Sequence, residues 1–189
     1  MRTLAAVVTC LLAAVALAAC GPAGPTEEGG VPGRPLEVVS ALPSPGDLRG
    51  PDGAEADAAA LGEAFTGEAD AALAATIDER SPSAAAVRNW TSPGGGTLTV
   101  AVSVWPSHLI ATGIGGDLAS RLVGDGGRAW TPRELPGTRG ARRTDPAEVR
   151  LGLSIGPNAL YVRVTGDVGE DLAIQAMERL RLVLEGQTG

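Results

Sequence analysis

Residues 87–127 align without a gap on residues 149–189, and 12 of the 41 aligned positions are identical. A chain of this composition gives about 3 to 4 by chance. The identities fall on structural positions: Val87 with Val149, Ser92 with Ser154, Gly94 with Gly156, Leu98 with Leu160, Val100 with Val162, Leu118 with Leu180, Leu122 with Leu184. Two copies are too few for a solenoid, where every repeat is buried by its neighbours, so the pattern predicts two like units inside a single domain.

Each copy reads strand, glycine turn, strand, helix. In the first, Leu98, Val100, Val102 and Val104 alternate at period two, and in the second Leu160, Val162 and Val164 do the same. Thr99, Ser103, Arg163 and Thr165 occupy the other face, as in an antiparallel sheet covered on one side only. Helical spacing follows in both copies: Ile110, Ile114, Leu118 and Leu122, then Ala173, Ala176, Met177, Leu180, Val183 and Leu184. Gly113, Gly115 and Gly116 weaken the first helix by about 1 kcal/mol each, which predicts a broken helix or an unusually close packing. Asp167 and Glu170 have capping-box spacing at the start of the second helix, and Gly186 ends it. The expected fold is α+β: two pseudo-repeated ββα units forming one antiparallel sheet with helices on one face. Residues 36–48, with Pro43 and Pro45, read as an extended entry segment, and the Ala-rich stretch 54–80 as two short helices.

The chain has 189 residues and a net charge of −7, which suits one domain, 36–189, and disfavours nucleic acid as a partner. Two Cys and one His give no Cys/His zinc site or disulfide framework, and no cofactor motif is present. The glycines at 113, 115 and 116 do not complete a dinucleotide loop, since Leu118 stands where its third Gly belongs. Ser107 and His108 are adjacent and project about 100° apart on a helix, which suits a surface or capping role and not a nucleophile–base couple.

Arg2 precedes an apolar run over residues 4–19, shorter than the roughly twenty residues needed to span a bilayer, and small residues lead to Cys20. Leu17, Ala18, Ala19, Cys20 and Gly21 resemble the lipobox of bacterial lipoproteins. That resemblance covers residues 1–21 and implies a signal peptide over 1–19, cleavage before Cys20, and acylation of Cys20 into a lipid anchor on the extracytoplasmic side of the cell membrane. Residues 20–35 are then the lipidated Cys and a Gly/Pro tether reaching about 20 Å as a coil and about 50 Å drawn out. All fifteen basic residues are Arg, a bias of GC-rich genomes. The layout of strands around Trp90, Trp105 and Trp130, the RELPG stretch and a closing helix is similar to that of uncharacterised actinobacterial secreted lipoproteins, which implies export and little chemistry.

Two constellations remain as candidate sites. Arg139, Arg142 and Arg143 crowd a stretch read as a loop and suit a phosphate or carboxylate. Trp90, Trp105 and Trp130 suit core packing or, where exposed, the anchoring of a partner. The expected function is a non-enzymatic binding or accessory module of the cell envelope, held by its lipid and meeting an envelope protein. A carrier or sensor of a small apolar or anionic ligand is the alternative, and an unrecognised hydrolase the third.

Overall fold

The computed structural model describes residues 34–50, 53–60, 76 and 80–186. The stretch expected to be a signal peptide, Cys20 and nearly all of the expected tether lie outside the described residues. These residues form an α+β domain of seven strands and three helices: α1 (Pro35–Ser40), β1 (Ala58–Ala60), β2 (Ala84–Thr91), β3 (Thr97–Val104), α2 (His108–Gly124), β4 (Arg128–Trp130), β5 (Arg139–Thr144), β6 (Ala147–Ile155), β7 (Asn158–Thr165) and α3 (Glu170–Leu184). The strands make one antiparallel sheet in the order β1-β2-β3-β7-β6-β5-β4. No helix among the described residues is long and apolar enough to cross a membrane.

Helices cover both faces, not one. Val100, Val102, Leu151, Leu160, Val162 and Val164 point to α1 and α3, whose Val38, Val39, Ala173, Ala176, Met177 and Leu180 complete the larger core. Ala101, Ala159 and Tyr161 point the opposite way, to Ala111, Ile114 and Leu118 of α2. The period-two alternation is real, but its second face is not solvated: Thr99 and Ser103 are buried there. Small and hydroxyl-bearing side chains accept cover, and their hydroxyls bond locally, as between Thr97 and Thr165 Oγ1 atoms at 2.8 Å.

The order strand, strand, helix occurs twice, yet the two units are not copies in space. Trp90 pairs with Leu98 across the first hairpin, whose turn spans 92–96, whereas the second turns tightly at Gly156 and Pro157 with Ile155 opposite Asn158. That difference shifts the register by one residue, which reverses the facing of every side chain on the outer strand. Arg88 accordingly lies on the α3 face and its sequence equivalent Arg150 on the α2 face. Only the central pair keeps the symmetry, with Val100 opposite its own equivalent Val162.

Local expectations are corrected in three places. Residues 35–40 are helical, with Pro35 at the first turn where its missing N–H costs nothing; the prolines stop this helix instead of preventing it. Arg88, buried on β2, donates to the carbonyls of Ala56 (2.8 Å), Ser40 (3.2 Å) and Leu42 and so ties α1 and its exit to the sheet. Within the Ala-rich stretch, Ala58–Ala60 is an edge strand; residues 61–75 and 77–79 lie outside the described residues. Gly169, not Asp167, occupies the N-cap of α3. Asp167 instead accepts from Ser92 Oγ and from the Gly96 N–H at 2.9 Å, locking the β2–β3 turn to the β7–α3 turn.

The glycines of α2 are explained by close packing. The helix is unbroken, Gly115 and Gly116 are buried, and a Cβ on Gly152 of β6 would stand 2.0 Å from the Gly115 carbonyl oxygen. Gly113 has nothing within 4 Å of its missing Cβ. Opposite outcomes follow for two identical substitutions in this contact region. Gly152→Ala lowers unfolding stability by about 1–3 kcal/mol through overpacking, while Gly113→Ala raises it by about 0.5–1 kcal/mol through helix propensity; urea unfolding of the protein measures both.

Candidate functional site

Strand β5 carries the three candidate arginines, and strand alternation separates them. Arg139 turns to the α2 face and lies against Gly116. Arg143 shares that face, while Arg142 points to the α3 side. The stretch is a strand and not a loop because Arg139–Thr144 pairs residue for residue with β6.

Arg143 serves a buried ionic cluster. Its Nη2 meets Glu148 Oε2 at 2.6 Å, and Glu148 Oε1 takes Nε of Arg150 and Nε of Arg163 at 2.7 Å each. Arg143 also donates to the carbonyls of Pro146 and Asp125, both at 3.2 Å. Arg150 and Arg163 stand directly opposite each other on β6 and β7, an arrangement that repels unless a carboxylate intervenes. Glu148, 3% exposed, is that carboxylate. Burial alone pushes its carboxyl up, but hydrogen bonds from Arg163 and Arg150, reinforced by their charges, hold it below its ordinary value of 4.5.

A second opposed arginine pair sits on the α3 side at the β4 edge of the sheet, where Arg128 of β4 faces Arg142 of β5. Here no carboxylate is shared. Arg142 Nη1 reaches Glu170 Oε2 at 3.3 Å and its guanidinium lies over Trp130, 5.5 Å from the ring centre. Among the described residues Arg128 has neither an ion pair nor a side-chain hydrogen bond. Both line a cleft of about 460 Å³ together with Arg143, Glu148, Gly126, Gly166, Gly169 and Glu170. Gly169 caps α3 without a side chain; its carbonyl takes the Leu172 N–H at 3.2 Å, and no side chain caps the N–H groups of Glu170 and Asp171, beside the wall of the cleft formed by Gly169 and Glu170. The arrangement can hold an anion between two strand-borne guanidiniums and a helix N-terminus.

The tryptophans do not gather on one surface. Trp90 is buried on the α3 face, with Nε1 donating to Ser44 Oγ at 3.3 Å and the Arg88 guanidinium 4.8 Å from its ring centre. Trp105 is buried on the α2 side and donates to Ser103 Oγ at 2.8 Å. Trp130 alone is half-buried, beneath Arg142. Ser107 caps α2 by accepting the Ile110 N–H at 3.3 Å, and His108 Nδ1 lies 2.9 Å from the Gly156 carbonyl. Arg128, Gly169 and Glu170 were not legible as site residues, because only the β4–β5 pairing and the placement of α3 bring them to Arg142.

The chain matches no family model, no curated protein and no solved structure.

The ionic cluster makes a pH prediction. A depressed carboxyl stabilises the fold above its unfolded value and loses that contribution as pH falls through the folded value. Wild-type stability therefore declines below about pH 4.5. Glu148→Gln costs about 3–5 kcal/mol near neutrality, the range for removing one partner of a buried ion pair, and flattens this part of the acid decline. Urea midpoints across the acid range, wild type against variant, measure both effects.

Proposed function

We propose that this chain is a lipid-anchored extracytoplasmic lipoprotein of the cell envelope whose domain is a non-enzymatic module binding an anionic group in the Arg128–Arg142 cleft. The anchor half of this reading is supported by the leader and the Leu17–Cys20 lipobox. The binding half is carried by one observation: two arginines opposed on adjacent strands line the same cleft, and one of them has no partner of its own. Like charges placed directly opposite across a ladder are unfavourable, and an anion between them relieves the repulsion. The sharper sequence expectation, a site of Arg139, Arg142 and Arg143, becomes Arg142 with Arg128, with Arg143 bracing the wall. A carrier of an apolar ligand is the second reading, favoured by a cleft of about 280 Å³ between α3 and the exit of α1, lined by Trp90, Leu98, Val100 and Leu172.

Two experiments test the proposal. Cys20→Ser releases the protein from the membrane fraction or stalls its processing; unchanged membrane retention with normal processing refutes the anchor. For binding, native mass spectrometry of the gently purified protein shows an added mass that denaturation removes and that Arg128→Gln with Arg142→Gln abolishes. An added mass that survives the double substitution moves the ligand to the Trp90 cleft.

A further inference from the structure

Resting on the anion-binding reading, we propose that the Arg128–Arg142 cleft selects a phosphate monoester dianion over a carboxylate. The donors come from different directions: two guanidiniums carried at opposed positions on neighbouring strands, and the first turn of α3, uncapped by a side chain, from the wall at Gly169. A planar carboxylate presents two oxygens in one plane and satisfies one guanidinium fork at a time. A terminal phosphate presents three acceptor oxygens on a tetrahedron and meets both guanidiniums and an N–H together.

Charge points the same way. On its α3 side the cleft presents Arg128 and Arg142 against Glu170, one net positive charge, while Arg143 and Glu148, which also line it, are paired with each other in the buried cluster. The partial positive end of α3 adds roughly half a charge, against which Glu170 and Asp171 stand in its first turn. Glu170 already offers Arg142 a carboxylate, at 3.3 Å, longer than the 2.7–2.9 Å typical of a charge-assisted bond. A second carboxylate brings Arg142 nothing new, whereas a dianion brings the charge the opposed pair lacks. Glu170 is then a competitor that the ligand displaces, and its exposed position, 44%, makes the displacement easy.

Trp130 supplies a reporter, since it lies under Arg142 while Trp90 and Trp105 are buried elsewhere. The test is a tryptophan-fluorescence titration of the full mature chain in detergent with inorganic phosphate and, at matched ionic strength, acetate. Phosphate binds at least about tenfold more tightly than acetate, Arg128→Gln weakens phosphate by about tenfold or more, Glu170→Gln tightens it, and Arg121→Gln on α2 changes nothing. Equal binding of acetate and phosphate, both lost in Arg128→Gln, overturns the phosphate selectivity and leaves the anion reading standing. Binding of neither anion, or phosphate binding indifferent to Arg128→Gln, overturns both.

Phosphate monoesters occur free and as lipid headgroups, and a second arm separates the sources. The mature chain carrying Cys20→Ser, which has no acyl anchor, is mixed with phosphatidylcholine vesicles with and without phosphatidic acid. Sedimentation with phosphatidic acid vesicles, reversed by inorganic phosphate and lost in Arg128→Gln, assigns the headgroup source. Phosphate binding without vesicle binding assigns a soluble monoester, and vesicle binding that survives Arg128→Gln overturns the cleft as the site.

Discussion

The β3–β7 pairing is the constraint on which the rest of the molecule depends. These strands pair along their whole length at the middle of the sheet and are covered on both sides. A central strand buried twice must give each face a partner of matching relief. On the α3 face the residues are Leu and Val, which hold α3 at ordinary distance. On the α2 face Ala101 and Ala159 accompany Tyr161, and beside Tyr161 Gly152 of β6 leaves its backbone bare, where α2 comes down with Gly115 at the contact. The Gly115–Gly152 approach follows from this, and helix propensity given up at Gly115 and Gly116 is exchanged for close packing.

The same two-sided burial decides where charge can go. β6 and β7 carry Arg150 and Arg163 in opposition inside the domain, and Glu148 bridges them from the same strand as Arg150. A buried arginine pair left without a carboxylate is costly, and here the carboxylate comes from within the chain. β4 and β5 repeat the opposition at the margin of the sheet, with Arg128 and Arg142, where Arg142 is 52% exposed and water screens the repulsion. Solvent tolerates there what the interior does not. An incomplete arrangement can therefore persist at the edge as a place for a ligand.

Most of the strands and both long helices were legible from period and punctuation, because side-chain periodicity records burial directly. The facing of the helices was not. Alternation distinguishes two faces but does not say whether the second is wet: Thr99 and Ser103 read as solvent-facing and are buried, since small hydroxyl residues serve either environment. Nor does ungapped similarity settle spatial equivalence, because a tighter second turn at Gly156 and Pro157 turns Arg150 away from the face held by Arg88. Site residues were half legible for the same reason. Crowding of Arg139, Arg142 and Arg143 is visible in one dimension, but their separation by strand alternation and the arrival of Arg128 from β4 are properties of pairing.

Trp130 joins the two constellations that sequence kept apart. It was a candidate partner anchor, and Arg142 a candidate anion ligand; in the fold the indole lies beneath the guanidinium. A face held by an aromatic platform restricts the rotation of the fork while leaving its N–H donors free at the edge. β4 is only three residues long, and its place depends on Gly140, where a Cβ would stand 2.7 Å from the Trp130 carbonyl oxygen. The close Gly140 contact thus seats Trp130, Trp130 orients Arg142, and the same short strand delivers Arg128. The cleft is a consequence of how one edge strand docks, which is why its chemistry depends on residues that have no charge.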